Sequence, residues 1–288
     1  MLQQLQHLPV AIQLGYLALF GLIMGSFLNA VIFRIPLQLY RRWSQEASDW
    51  LEEASTRPKD SREWTLSLWQ SRSHCPHCSN LIAWYDNIPV VSWLILLGRC
   101  RHCQQRISGR YPLVELLTAL ILVLMARHLG LNLGFLVTIP LILGLIALTF
   151  IDLDTQLLPD SITQPLLWLG LLVNSQHLLV TLESAVYGAV AGYLLLWSLY
   201  WLFKLTTGKE GMGYGDFKLL AVLGAWMGWQ MLPVILLGSA LAGTLAGLGY
   251  LIIRRRSLAF PFGPYLALAG LWALYNHSQL VYWYLAHG

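Results

Sequence analysis

Charge is what this chain has least of. Only 11% of its 288 residues are Asp, Glu, Lys or Arg, against 57% hydrophobic, where a soluble domain carries about 25% charge. With a mean hydropathy of +0.58, the chain has more apolar surface than one water-excluding core can hide, so the excess must face lipid. Cysteine is nearly as scarce: there are four, all within one polar stretch, which excludes a disulfide framework spread along the chain. A basic run at the amino terminus is missing as well. MLQQLQHLPV carries no Lys or Arg, so the first apolar run is expected to be a retained span rather than a cleavable signal. No internal repeat stands out. The formal charge of +4 sits in loops and not on one helical face, which argues against a nucleic-acid partner.

What the chain does have is a series of apolar runs of about 20 residues, the length that crosses a bilayer as a helix. They fall at residues 8–33, 111–129, 133–151, 161–173, 180–203, 217–229, 232–253 and 260–275. The expected fold is an all-α integral membrane protein of about eight transmembrane helices, with 1–33 as first span, 34–110 as a loop domain and 111–288 as a helical catalytic domain. Trp and Tyr, thirteen of each, cluster near segment ends as in interfacial belts. Of the 18 Lys and Arg, eleven lie between Arg34 and Arg110, three at Lys204, Lys209 and Lys218, and three at Arg254 to Arg256. Eight spans put all of these on one side and leave only Arg127 opposite, so that side is expected to be the cytoplasm, with both termini outside.

The polar stretch opens with alternating acids and bases between Tyr40 and Gln70, which fits either amphipathic helices on the membrane or a solvated linker. Its second half holds Cys75-Pro-His-Cys78 and Cys100-Arg-His-Cys103, with 21 residues between the two pairs. Two sulfurs at i and i+3 on a tight turn can share one metal, and two such turns complete a tetrahedron, which favours zinc over a redox pair or inert thiols. A reducing cytosol disfavours disulfides. Four protein ligands close the shell, so Cys75, Cys78, Cys100 and Cys103 are expected to hold a structural ion, with His74, His77 and His102 beside them. The apolar insert Trp84 to Trp93 reads as a flap docking on the membrane face.

Acids are the rarest charged group, 14 in all, yet several stand where apolar runs end. An ionised carboxylate at membrane depth costs about 2.5–3.5 kcal/mol and is a functional residue by default; the competing reading leaves these acids inert in interfacial loops. In Asp152-Leu-Asp-Thr-Gln-Leu-Leu-Pro-Asp160, Pro159 stops the helix and Asp160 suits the N-cap of the next. Asp154, two residues on, faces roughly 160–200° away from Asp152 on a helix, and Asp152 is the deepest of the three. In Gly211-Met-Gly-Tyr-Gly-Asp216, the glycines permit close backbone packing. A phosphate loop is excluded there, because no strand precedes and no GKS or GKT follows. Asp152 and Asp216 are therefore expected to meet. Two carboxylates a few ångström apart cannot both ionise easily, so one donates to a carbonyl while the other activates water, which is peptide hydrolysis without a covalent intermediate.

Other polar residues have plainer explanations. Glu115 could act beside the site or make a structural hydrogen bond. Arg34 is expected to snorkel, Gly25 and Ser26 to allow close helix contact, and His128, His177, His277 and His287 to sit at the outer interface. Gly263 and Pro264 are expected to set the turn into the last span.

GlySerPheLeuAsn (25–29) with Arg34 and Pro36, the paired CxxC knuckles, ProLeuValGlu (112–115), the 152–160 stretch, GlyMetGlyTyrGlyAspPheLys (211–218) and ProPheGlyPro (261–264), taken in order, resemble the type IV prepilin peptidases. The resemblance implies cleavage of the leader of type 4 prepilins and type II secretion pseudopilins after a Gly, at the cytoplasmic face of the bacterial inner membrane. It implies N-methylation of the new terminus with S-adenosylmethionine, catalytic aspartates at Asp152 and Asp216, and the cysteine tetrad as above. The GxGD pattern is similar to that of presenilin-type intramembrane proteases. The alternative from another class is a membrane transporter or secretion-assembly scaffold with a zinc-stabilised loop.

Overall fold

The computed structural model describes residues 9–50, 74–75, 77–209, 211–254, 261–277 and 279–280; among these the regular structure is helical, with no strand beyond two isolated bridges. The rest of the Tyr40–Gln70 segment from residue 51, together with Arg255, Arg256 and His287, lies outside the described residues. The chain divides into two compact units, Met1–Leu124 and Met125–Gly288.

In the first unit, α1 (Val10–Trp50) does not stop at Phe33. It continues through Pro36 into the polar stretch, because proline removes only one N–H and the residues beyond it are largely good helix formers. The first part of the presumed loop is thus helix. The short α2 (Val91–Ile95) lies in the cysteine loop, and α3 (Arg110–Leu129) begins directly after it. Gly21 and Gly25, one turn apart on α1, meet α3 almost backbone to backbone: a Cβ at either would lie 2.5 Å from the Ala119 Cα or 2.6 Å from the Glu115 Cα. This is the close contact expected at Gly25, and it substitutes for a hydrophobic driving force that lipid cannot supply.

The second unit contains α4 (Leu133–Thr155), α5 (Asp160–Ser175), α6 (Leu182–Thr207), α7 (Tyr214–Met227), α8 (Leu232–Arg254) and α9 (Gly263–Tyr275). From Asp216 to Met227, α7 is buried at every residue but Lys218, the pattern of a helix enclosed on all sides. It packs most extensively on α6 and also on α5 and α9. Gly188 and Gly192 of α6 make this possible, since a Cβ at Gly192 would stand 2.8 Å from the Leu220 carbonyl oxygen, and Gly188 and Gly224 touch through their backbones. At the far end of α7, the buried Asn174 donates to the carbonyls of Ala225 and Trp226 at 2.8 and 3.2 Å and accepts from the N–H groups of Leu179 and Val180. The Trp226 indole donates to Leu166 O at 2.8 Å. These bonds fix α7 along its axis, and Asp216 with it.

Among the described residues, five helices are long and apolar enough to cross a membrane: Val10–Ala47 of α1, α3, α4, α6 and the stretch Trp229–Tyr250, which takes in most of α8. The segments expected as fourth, sixth and eighth spans form α5, α7 and α9, of 16, 14 and 13 residues. At 1.5 Å per residue the shortest is about 20 Å long, less than the roughly 30 Å of hydrocarbon. Each is cut short where the polar motifs begin: α5 at Asp160, α7 at the Gly-rich stretch and α9 at Gly263.

Candidate active site and metal centre

The cysteine loop is built from one turn used twice. His74 bridges to Leu81 and Arg99 to Arg106, an offset of 25 residues in both positions. Cys75 N–H donates to Asn80 O as Cys100 N–H does to Gln105 O, each at 2.9 Å, and Ser79 and Gln104 donate back to the carbonyls of Cys75 and Cys100. Both turns close through a non-glycine residue at positive φ, Ser79 at 61° and Gln104 at 58°. In the letters the repeat is short, Cys-x-His-Cys with Ile82 and Ile107 four residues on; the rest of the duplication lies in the backbone. It brings the four sulfurs within 4.8 Å of one another, with Cys75 Sγ and Cys103 Sγ 3.8 Å apart. A tetrahedral ion with metal–sulfur bonds of about 2.3 Å requires edges of about 3.8 Å, so the sulfurs fit a metal and are too far apart for disulfides. Backbone hydrogen bonds, first from Cys103, lower the Cys100 thiol to about 7, while burial and hydrogen bonds with the neighbouring thiols push Cys103 up to about 11, so Cys100 gives up its proton before Cys103.

The insert between the knuckles forms a 3-10 turn at Trp84–Asn87 and then α2. Asp86 accepts both Arg101 guanidinium bonds, at 2.6 and 2.8 Å, which hold its carboxyl below the ordinary value of 3.8. Trp84, Ile95 and Leu97 stay 79, 72 and 83% exposed, an apolar surface consistent with the flap expected there. Arg34 is 8% exposed, so it is folded inward and does not snorkel. Of the two roles open to Glu115, the hydrogen bond is present, accepting from Val90 N–H at 2.8 Å.

The acidic motifs come together in the second unit. Asp152, in the last turn of α4, is 5% exposed, and Asp216, in the first turn of α7, is 7% exposed. Gln156 ends α4 in the left-handed conformation, its N–H on the Asp152 carbonyl, and the chain then turns through Leu157 and Leu158. Leu158 packs against both Gly215, the neighbour of Asp216, and Gly263, which lies against Asp152: a Cβ on Gly215 would lie 2.7 Å from the Leu158 Cβ, and one on Gly263 would lie 3.2 Å from the Leu158 Cδ2. Asp154 is exposed, as its angular offset predicts. Asp160 begins α5 with Pro159 in the cap position; instead of capping, its carboxylate takes the Lys218 ammonium at 2.6 and 2.8 Å, a second tie between these motifs.

Gly263 has a role that the sequence did not reveal. Its N–H donates to Asp152 Oδ2 at 3.0 Å, and a Cβ there would stand 2.6 Å from the same oxygen. The only signal was its turn context in ProPheGlyPro. Beside Asp216, the rings of Tyr193, Tyr200, Tyr214 and Phe217 form an edge-on cluster with centroids 5.3–6.0 Å apart. At the opposite end of the bundle, His128 stacks on Tyr275 at 3.9 Å and His277 faces the Met227 carbonyl oxygen at 3.4 Å.

Comparison with known proteins covers both regions. Residues 19–129 match the Bacterial Peptidase A24 N-terminal domain and residues 139–248 match the Type IV leader peptidase family. A protein of Aeromonas salmonicida is 54% identical over 270 residues, 93% of this chain and 92% of its own length. The chain belongs to the type IV leader peptidase family. Further relatives, from Stutzerimonas stutzeri and Dichelobacter nodosus, are 49 and 48% identical over 279 and 273 residues, covering 96 and 94% of this chain and 95 and 93% of theirs. All three carry the name prepilin leader peptidase/N-methyltransferase. No solved structure matches. The leader peptidase match includes both Asp152 and Asp216; the N-terminal match includes the four cysteines and Glu115.

Proposed function

We propose that this chain is a membrane aspartic endopeptidase that removes the leader of type 4 prepilins and pseudopilins after a Gly, with Asp152 and Asp216 as its catalytic pair. It then methylates the new amino terminus using S-adenosylmethionine. The observation that carries this reading is the packing of Leu158 between Gly215 and Gly263, which draws two buried acids, 152 and 216 in the sequence, to one gap. One carboxyl keeps its proton and polarises the scissile carbonyl, while the other takes a proton from water as it attacks. Gly263 N–H holds the Asp152 carboxyl through one oxygen, Oδ2. The methyl donor, when bound, supplies an electrophilic methyl group.

The short helices α5, α7 and α9 complete eight spans, because the polar motifs at their starts form the rim of the bundle and take up the remaining depth. Both termini then lie outside, while the loop of residues 34–110 and the aspartates face the cytoplasm of a bacterial inner membrane. Zinc fills the cysteine tetrad as a structural ion, and the exposed Trp84, Ile95 and Leu97 rest on lipid. A mass spectrum of a prepilin after exposure to the purified protein tests the activity. Loss of the leader mass, followed by gain of one methyl when S-adenosylmethionine is added, is the expected result. A transporter or assembly scaffold leaves the pilin mass unchanged.

A further inference from the structure

A single side chain, Leu158, closes on the surroundings of both buried acids. The point where a Gly263 Cβ would stand lies 2.6 Å from Asp152 Oδ2 and 3.2 Å from Leu158 Cδ2, so the leucine methyl and the carboxylate oxygen flank one spot. Beside Asp216, a Cβ at Gly215 would stand 2.7 Å from the Leu158 Cβ. Neither approach has room for one more carbon. Leu158 itself is only half-buried, so part of its side chain is open to whatever reaches the acids.

The leucine is also held so that it does not give way. It belongs to the short linker between α4 and α5, which is pinned at both ends. Gln156 closes α4 with its N–H on the Asp152 carbonyl at 2.9 Å. The buried Pro159 stands at the cap of α5 and restricts the residue before it to extended backbone. Asp160 then takes the Lys218 ammonium of α7 at 2.6 and 2.8 Å. A leucine Cβ moves only with its backbone, and this backbone is tied to both acid-bearing helices.

We propose that Leu158 is the specificity-determining residue at the cut: it admits only a residue without a Cβ on the carbonyl side of the scissile bond. The inference rests on the leader-cleavage reading above and gives the preference for Gly a physical cause. A carbonyl that reaches both carboxyls brings the Cβ of its own residue, two bonds from the attacked carbon, against Leu158. The Cβ of the following residue is one bond farther along the chain and is free to point away. Glycine fits; alanine meets the wall that leaves no room for a Cβ at positions 215 and 263. The clash acts as the carbonyl engages the acids, so it discriminates in kcat/KM.

Purified full-length protein is given prepilins with Gly or Ala before the cut, and kcat/KM for leader removal is read by mass spectrometry. The wild-type chain should favour Gly by about 10- to 200-fold, the range a single carbon commands in a close-fitting site. Leu158→Ala is expected to slow the Gly prepilin and yet narrow the Gly-to-Ala ratio by at least about fivefold; a change that only loosened the acid pair would slow both prepilins alike. If Leu158→Ala cuts neither, Leu158→Val decides, because it keeps the Cβ against Gly215 and loses the reach toward Gly263; it is expected to narrow the ratio in the same way. A wild-type ratio in the variant that still cuts overturns the inference. Loss of all cutting in both variants also overturns it, since Leu158 then holds the pair and does not select. A wild-type chain that leaves the Gly prepilin uncut defeats the leader-cleavage reading as well, whereas an unmoved ratio defeats this inference alone.

Discussion

The cysteine loop and the aspartate pair reach their geometry by opposite means. In the loop, two copies of one hydrogen-bonded turn bring four sulfurs close enough to share a metal ion. In the bundle, helix packing and a few buried hydrogen bonds set the geometry. Asp216 stands where it does because α7 is enclosed by α6, α5 and α9 and anchored at its far end by Asn174 and Trp226. Asp152 is aimed by one N–H, from Gly263. A ligand-built site survives changes in the surrounding packing but not the loss of a ligand. A packing-built site is sensitive to single methyl groups.

The largest expected effect separates the two regions completely. Asp152→Ala or Asp216→Ala should lower leader cleavage by at least about 10³-fold while zinc content, read by inductively coupled plasma mass spectrometry, stays at one ion per chain. The converse change is Cys75→Ser with Cys78→Ser. It should release the zinc, whose binding in small structural sites is worth about 10–16 kcal/mol, and make the loop open to limited proteolysis; retained metal would rule out the tetrad. Gly263→Ala comes next. Its Cβ would fall 2.6 Å from Asp152 Oδ2, and moving the carboxyl proposed as catalytic by several tenths of an ångström should cost about 10- to 100-fold in cleavage rate with the metal content of the loop untouched. The smallest effect is at Lys218→Met. The pair with Asp160 is partly exposed, 28 and 61% for the two side chains, so its loss should cost no more than about 1 kcal/mol of stability, and less in high salt.

The sequence made the two regions unequally legible. The tetrad could be read directly, because metal ligation fixes both residue type and spacing; its duplicated turn could not, because backbone hydrogen bonds leave almost no residue signature. The burial of Asp152 and Asp216 was legible from the cost of acids in an apolar chain, and the exposure of Asp154 from its angle. The partners that aim the pair were not legible. Leu158 looks like any leucine, and Gly263 like a turn residue, until the close approach is seen. Arg34 was misjudged because snorkelling assumes water at the helix end, whereas a polar cavity lies there instead. Helix α1 ran past its expected end because Pro36 interrupts only one hydrogen bond.

The central claim is that Asp152 and Asp216 act as one unit, and a double-variant cycle tests it most directly. Initial rates of leader removal from a prepilin are measured by mass spectrometry for Asp152→Asn, Asp216→Asn and the double variant. If the acids share one water and one proton, each single change removes the same catalysis and the double variant is no slower than either. Substantial processing by either single variant, or losses that multiply in the double variant, would contradict it.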